Sequence, residues 1–150
     1  MGTNKLLEKF SDESLIRIAV ETTVKSGASP IFVVVGYQSE RIIAEIADLD
    51  VQCVTNPDFA KGLSTSLQAG LRALPEEVDG AIIMLGDMPL VTPTVLQKLM
   101  DSFRATPECL AVVPSYREKW GNPVLLARSL FHAASELTGD SGARKLLEMH

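Results

Sequence analysis

The sequence predicts an α/β domain: a three-layer, mostly parallel Rossmann-like sheet with helices on both faces. Three observations predict it. The short apolar runs IFVVVG (31–36), VQCVTN (51–56) and AIIMLG (81–86) have the length and β-branched content of buried strands. Stretches of helical period separate them, and strands that alternate with helices build parallel sheets covered on both faces. The chain has 150 residues, 46% hydrophobic and 22% charged, which suits a single domain with its own core.

The elements follow in order. Residues 12–27 read as a helix, with Leu15, Ile18 and Ala19 on one face, Asp12 as cap and Gly27 as stop. Strand 31–36 leads to a helix at 39–48 that carries Ile42, Ile43, Ile46 and Ala47 on one side. Strand 51–56 leads to a helix at 64–74 through Leu67, Leu71 and Leu74, capped by Ser64 or Thr65. Strand 81–86 follows. Thr92-Pro93 is an N-cap with proline at the first helical position, and Val95, Leu96, Leu99, Met100 and Phe103 continue with helical period. Residues 109–114 and 123–127 are further strands, 128–138 and 140–149 helices, with Asp140 and Ser141 capping the last. The polar linker 116–121 is exposed. The first 11 residues are not a strand. A doubly wound domain usually begins with a strand and a phosphate loop, so the layout predicts that parts of a larger domain are missing at both ends.

Composition excludes several classes. No apolar run approaches the roughly 18 residues of a membrane span, and no basic start precedes a signal-type apolar segment. A net charge of −5 disfavours nucleic acid and anionic membranes as partners. These features make the cytoplasm the expected location. Cys53 and Cys109 sit in apolar stretches and read as buried small hydrophobes. With His132 and His150 they supply too few soft ligands for zinc. No G-x-G-x-x-G follows a strand, so a nicotinamide-dependent oxidoreductase has little support.

In parallel sheets ligands bind beyond the carboxyl ends of strands. Asp87 stands at such an end, between Gly86 and a turn that contains Pro89. From the residues alone it reads two ways. It is a turn aspartate bonded to backbone, or it is a magnesium ligand, because magnesium takes a carboxylate together with phosphate oxygens and waters. GLSTSL (62–67) reads likewise as a capped helix start or as an anion-binding one. Lys5 alone reads as a solvated charge, and Asn122 before Pro123 as an extended strand entry. Arg117 and Lys119 read as solvated or as steering a phosphate, and Trp120 as a surface residue.

MG-T-NKLL at the start, NPDFAKGLSTSLQAGL (56–71), LGDMPLVTP (85–93), GNPVLLARSLF (121–131) and TGDSGARKLL (138–147) occur in an order that resembles the MobA-like nucleotidyltransferases, most of all their molybdenum cofactor cytidylyltransferase branch. The resemblance implies a sheet of the nucleotide-diphospho-sugar transferase type. It implies that Asp87 holds a catalytic Mg2+ and that Lys5 neutralises triphosphate charge. Gly2 matches the end of the family's glycine-rich loop, whose preceding strand and glycines are missing here, as is a late aspartate. Gly62, Ser64, Thr65 and Ser66, with Asn56 nearby, are implied to lie beside base and ribose, Gly86 beside the metal ligand, and Asn122 toward a pterin.

The implied function is transfer of CMP from CTP, or of another nucleotide from its triphosphate, to a phosphorylated pterin of the molybdopterin type, with release of pyrophosphate. A molybdoenzyme or its chaperone is the implied protein partner. The alternative is a nucleotide-binding or dimerisation module of the same fold that catalyses nothing.

Overall fold

Local sequence and packing place each element of the computed structural model, which describes residues 4–116 and 119–149. After a 3-10 turn at Lys5–Leu7, β1 (Lys9–Phe10) and β2 (Glu13–Ser14) form a two-stranded antiparallel pair. The opening residues therefore do contain strand, though only as this short pair. Ser14, not Asp12, caps α1 (Leu15–Lys25): its Oγ accepts from the Arg17 N–H at 3.3 Å. Asp12 has φ 73°, and that left-handed turn delays the helix.

β3 (Phe32–Val35) pairs in parallel with β4 (Gln52–Thr55), with α2 (Ser39–Ile46) between them in sequence. After β4 come α3 (Leu63–Ala73), β5 (Gly80–Ile83) and α4 (Pro93–Ala105), whose cap Thr92 accepts from the Val95 N–H as the sequence predicts. β6 (Ala111–Val112) is followed by β7 (Ser115–Tyr116) and β8 (Lys119–Trp120), which pair antiparallel, so the polar linker is a hairpin. β9 (Val124–Ala127) lies between β5 and β6 and runs against both. A one-turn α5 (Phe131–Ala134) and α6 (Ala143–Glu148) end the chain and are shorter than the periodicity predicts.

Side-chain alternation explains the three layers. On β9, Val124 and Leu126 face a core with Leu67 and Leu71 of α3, Ala134 and Leu146. Leu125 faces the other way, onto Leu96 and Leu99 of α4. Every residue of β9 is buried, as two-sided covering requires. On β3, Val33 and Val35 join Ile16 and Val20 of α1 and Ile42 and Ile46 of α2. Val34 points the opposite way, to α3, where a Cβ on Gly70 would lie 3.1 Å from it. Truncating a fully buried leucine such as Leu96, Leu126 or Leu146 costs about 2–5 kcal/mol.

Among the described residues β4 pairs only with β3, and Cys53 is exposed rather than buried, against the sequence expectation. β5 is only half-buried for a related reason: its edge opposite β9 faces a cavity. Among the described residues no helix is long and apolar enough to cross a membrane.

Candidate functional site at the carboxyl ends of β3 and β5

Residues 4–7 tie the ends of the two sheets together. Asn4 caps its own 3-10 turn, accepting from the Leu6 N–H at 3.0 Å. Its amide donates to the carbonyl of Tyr37, just beyond β3, at 3.2 Å. Leu6 then packs over Gly86, just beyond β5, where an added Cβ would lie 3.0 Å from Leu6 Cδ2 and 3.2 Å from Ile16 Cδ1. Gly86 is thus required for close approach, and its smallness brings Lys5 to Asp87. The Lys5 Nζ lies 3.4 Å from Asp87 Oδ2. Among the described residues the Asp87 carboxylate meets Lys5 and no backbone N–H. Its side chain keeps 36% of its accessible surface, enough to admit a cation.

The start of α3 is not capped by Ser64 or Thr65, against the sequence expectation. Its N-cap residue is Gly62, which has no side chain to bond the free N–H groups. The carbonyl of Gly139 accepts both the N–H of Ser64 at 3.0 Å and its hydroxyl at 2.8 Å. Asp140 Oδ1 accepts from the Leu63 N–H at 3.4 Å. The helix head is therefore capped from a turn far along the chain, and Asp140 serves α3 rather than α6, whose N-cap is Gly142 with no side-chain bond. Proximity in sequence suggested the wrong helix. The D-S-G run marks a cap, but only the fold shows which helix receives it.

Asn56 is buried and fully engaged. Its amide nitrogen donates to Thr65 Oγ1 at 2.9 Å and Ser66 Oγ at 3.0 Å, and its oxygen accepts from the Asp58 N–H at 3.0 Å. It locks the end of β4 to the first turn of α3. The Thr65 hydroxyl is held against the carbonyls of Gly62 and Asp58. Ser64, 1% exposed, is interior as well. Ser66 lines the cavity between the sheets, together with Gly86, Asn122, Asp140 and Ser141. Asn122 is joined to Pro123 by a cis bond. The expectations for Gly2 and Arg117 lie outside the described residues.

Two groups thus form. Lys5 and Asp87 flank the rim beside Leu6 and Gly86, while Ser66 and Asn122 line the cavity. Asn56, Gly62, Ser64 and Thr65 stand behind Ser66 as its support. Sequence reasoning missed Asn4, whose Asn-to-Tyr37 bond has no short-range signal.

Among the described residues no group of three or more His, Cys, Asp or Glu side chains could hold a metal. A calcium-type or zinc-type cage is thereby disfavoured. One accessible carboxylate at a strand end does fit magnesium, which keeps several waters and takes one or two carboxylates plus substrate phosphates.

Known proteins share this architecture. The family described as the MobA-like NTP transferase domain matches residues 1–150. The molybdenum cofactor cytidylyltransferase of Escherichia coli (strain K12) is 24% identical over 150 residues, covering 99% of this chain and 74% of that protein. The nicotine blue oxidoreductase of Paenarthrobacter nicotinovorans is 26% identical, covering 95% and 72%. The crystal structure of Rv0371c from Mycobacterium tuberculosis H37Rv superposes with a TM-score of 0.86 at 26% identity, over 99% of this chain and 75% of that one. A further structure of that protein is a complex with manganese. The fold is a mixed α/β nucleotidyltransferase fold, and the chain belongs to the MobA-like NTP transferase family.

Proposed function

We propose that this protein transfers CMP from CTP to the phosphate of a molybdopterin-type acceptor and releases pyrophosphate. The observation that carries the reading is the Lys5–Asp87 pair at the carboxyl ends of β3 and β5. A carboxylate and an ammonium side by side, both reachable from solvent, suit a ligand that arrives as a polyphosphate with its counter-cation. Phosphoryl-type transfer relies on positioning and charge neutralisation more than on covalent protein chemistry.

In the proposed reaction an acceptor phosphate oxygen attacks the α-phosphorus of CTP. A new P–O bond forms, the bond from the α-phosphorus to the bridging oxygen breaks, and its electron pair leaves with pyrophosphate. Asp87 would hold Mg2+, which when bound supplies charge stabilisation to the phosphates. Lys5, beside Asp87 and exposed, would offer its ammonium to the β- and γ-phosphates. Ser66 offers a hydroxyl at the cavity wall for the nucleoside, and Asn122 an amide for the acceptor. Asn56 and Ser64 act through Ser66 by fixing the first turn of α3. A cytoplasmic location follows from the substrates proposed.

The test is a pyrophosphate-release assay with CTP, GTP and ATP, a phosphorylated pterin and Mg2+. Release with CTP, lost in Asp87→Asn, supports the reading. Nucleotide binding without product supports the second reading, a binding or dimerisation module. One observation favours that second reading: β3 and β5, the strands that carry the site, belong to separate sheets.

A further inference from the structure

The two neighbours of Lys5 are anchored at different places. Asn4, before it, donates from its side-chain amide to the carbonyl of Tyr37, 33 positions away, at 3.2 Å. Leu6, after it, packs over Gly86 beside Ile16. The 3-10 turn contains no buried residue, and Leu6 and Leu7 only border the core around α1, β3 and α2. Apolar contact has no direction, so a turn held by it needs a hydrogen bond to set its orientation. The bond from Asn4 to Tyr37 supplies one.

Capping the turn takes only half of the Asn4 amide. Its oxygen accepts from the Leu6 N–H at 3.0 Å, an N-cap bond that a serine hydroxyl makes as well. The nitrogen reaches further, and its target is a fixed point. The Gly36 carbonyl accepts from the Ser39 N–H at 3.1 Å, and the Tyr37 ring lies 6.3 Å from the Phe59 ring. Phe59 in turn sits against Gly36, where an added Cβ would lie 2.6 Å from the Phe59 Cβ. Lys5 therefore starts from backbone strung between the ends of β3 and β5. A lysine stem is flexible, and the Lys5 side chain is 69% exposed, yet its Nζ stands 3.4 Å from Asp87 Oδ2. The held backbone accounts for that placement.

We propose that Asn4 is a positioning residue: through its bond to the Tyr37 carbonyl it sets the backbone from which Lys5 reaches Asp87 and the phosphates of the nucleotide. The inference rests on the transferase reading for its ligand, a nucleoside triphosphate with a divalent cation. The link from Asn4 to Lys5 is a property of the folded chain alone. Asn4 touches no reacting atom in this role and acts only through Lys5.

The test uses Asn4→Ser, which keeps a side-chain oxygen for the Leu6 N–H but is too short to reach Tyr37. Calorimetric titration should show Mg2+ alone bound about twofold more tightly and Mg2+–CTP about fivefold more weakly, the opposite signs expected of Lys5→Met. Losses of one sign in both titrations, as general damage to the fold gives, overturn the proposal. In the Lys5→Met background Asn4→Ser should change neither affinity further, and additive changes overturn it too. The NMR resonance of the Lys5 Cε methylene gives a readout that needs no nucleotide. It should move in Asn4→Ser in the direction it moves in Asp87→Asn. An unmoved signal, with or without a loss of stability in urea, reduces Asn4 to a cap and overturns the proposal. Failure of the transferase reading looks different: the unmodified chain then releases no pyrophosphate, while the Lys5 resonance and the Mg2+ titration still decide the role of Asn4.

Discussion

The Lys5 ammonium sits 3.4 Å from the Asp87 carboxylate, an ion pair between a 3-10 turn near the start of the chain and the turn after β5. The Lys5 side chain is 69% exposed and the Asp87 side chain 36%, so the pair adds little to stability, about 0–1 kcal/mol. Its consequence lies in competition. A cation that takes Asp87 must displace Lys5, whereas a cation arriving with phosphates gives Lys5 a new partner. Lys5→Met should therefore tighten binding of Mg2+ alone by a few-fold and weaken binding of Mg2+–CTP by about tenfold, the latter being about 1.4 kcal/mol. Asp87→Asn should weaken both. Calorimetric titration of each variant with MgCl2 and with Mg2+–CTP decides this. Parallel losses of both affinities in Lys5→Met would remove the competition.

The strands and helices were legible because short β-branched runs and helical leucine spacings are local signals. Val33 and Val35, or Leu67 and Leu71, announce their faces within a few residues. The position of Asp87 just past a strand was legible for the same reason, since it follows the apolar run 81–85 and Gly86. What stayed hidden depends on distant partners. Asp140 looked like the cap of the helix beside it, yet it bonds Leu63. Cys53 looked buried because its neighbours are apolar, but among the described residues no strand pairs with the outer edge of β4. Ser64 looked like a cap and is instead a donor to Gly139. Contacts across the fold are written in no single stretch.

Gly62 and Gly139 make a matched pair of tests for the capped head of α3. Both have positive φ, 118° and 64°. A Cβ on Gly139 meets nothing within 4 Å, so Gly139→Ala carries only the left-handed backbone cost of about 1–2 kcal/mol. A Cβ on Gly62 would overlap the carbonyl oxygen of Gly139 and crowd the Asp140 nitrogen at 2.9 Å. Gly62→Ala should therefore cost clearly more, about 3 kcal/mol or above. Urea unfolding of the two variants gives the comparison, and equal costs would mean that the 139–140 turn can move off the helix.

Arg17 links α1 to the end of α2. Its guanidinium donates to both carboxylate oxygens of Asp48 at 2.7 and 2.8 Å, to the carbonyl of Glu45 at 2.8 Å, and pairs with Glu21 at 2.6 Å. The hydrogen bonds from Arg17, then a backbone hydrogen bond, lower the Asp48 pKa to about 2. The folded value lies below the ordinary 3.8, so the contribution is complete above about pH 4 and is lost as pH falls through about 2. The pair is solvent-exposed, so the effect is a modest slope that salt reduces. Stability measured from pH 5 to pH 2 should fall less steeply in Asp48→Asn than in the unmodified chain. Identical slopes would show that Arg17 does not hold Asp48 ionised in solution.

Asn56 tests whether Ser66 is positioned or merely present. Its side chain is buried at 3% exposure and makes three hydrogen bonds, to Thr65, Ser66 and the Asp58 N–H. Asn56→Ala strands those groups and should cost about 2–4 kcal/mol. A stability loss alone says nothing about the site, so Asn56→Asp is the sharper variant. It keeps the acceptor for Asp58 and replaces the two donors with a carboxylate oxygen, which must now accept from the Ser66 hydroxyl. That rotates the hydroxyl's proton inward and removes it as a donor to a nucleoside at the cavity wall. The expected outcome is a folded protein with CTP affinity reduced about tenfold, and reduced no further when Ser66 is also replaced by Ala, because the loss runs through that one hydroxyl. Additive losses in the double variant would instead place Asn56 in a role independent of Ser66.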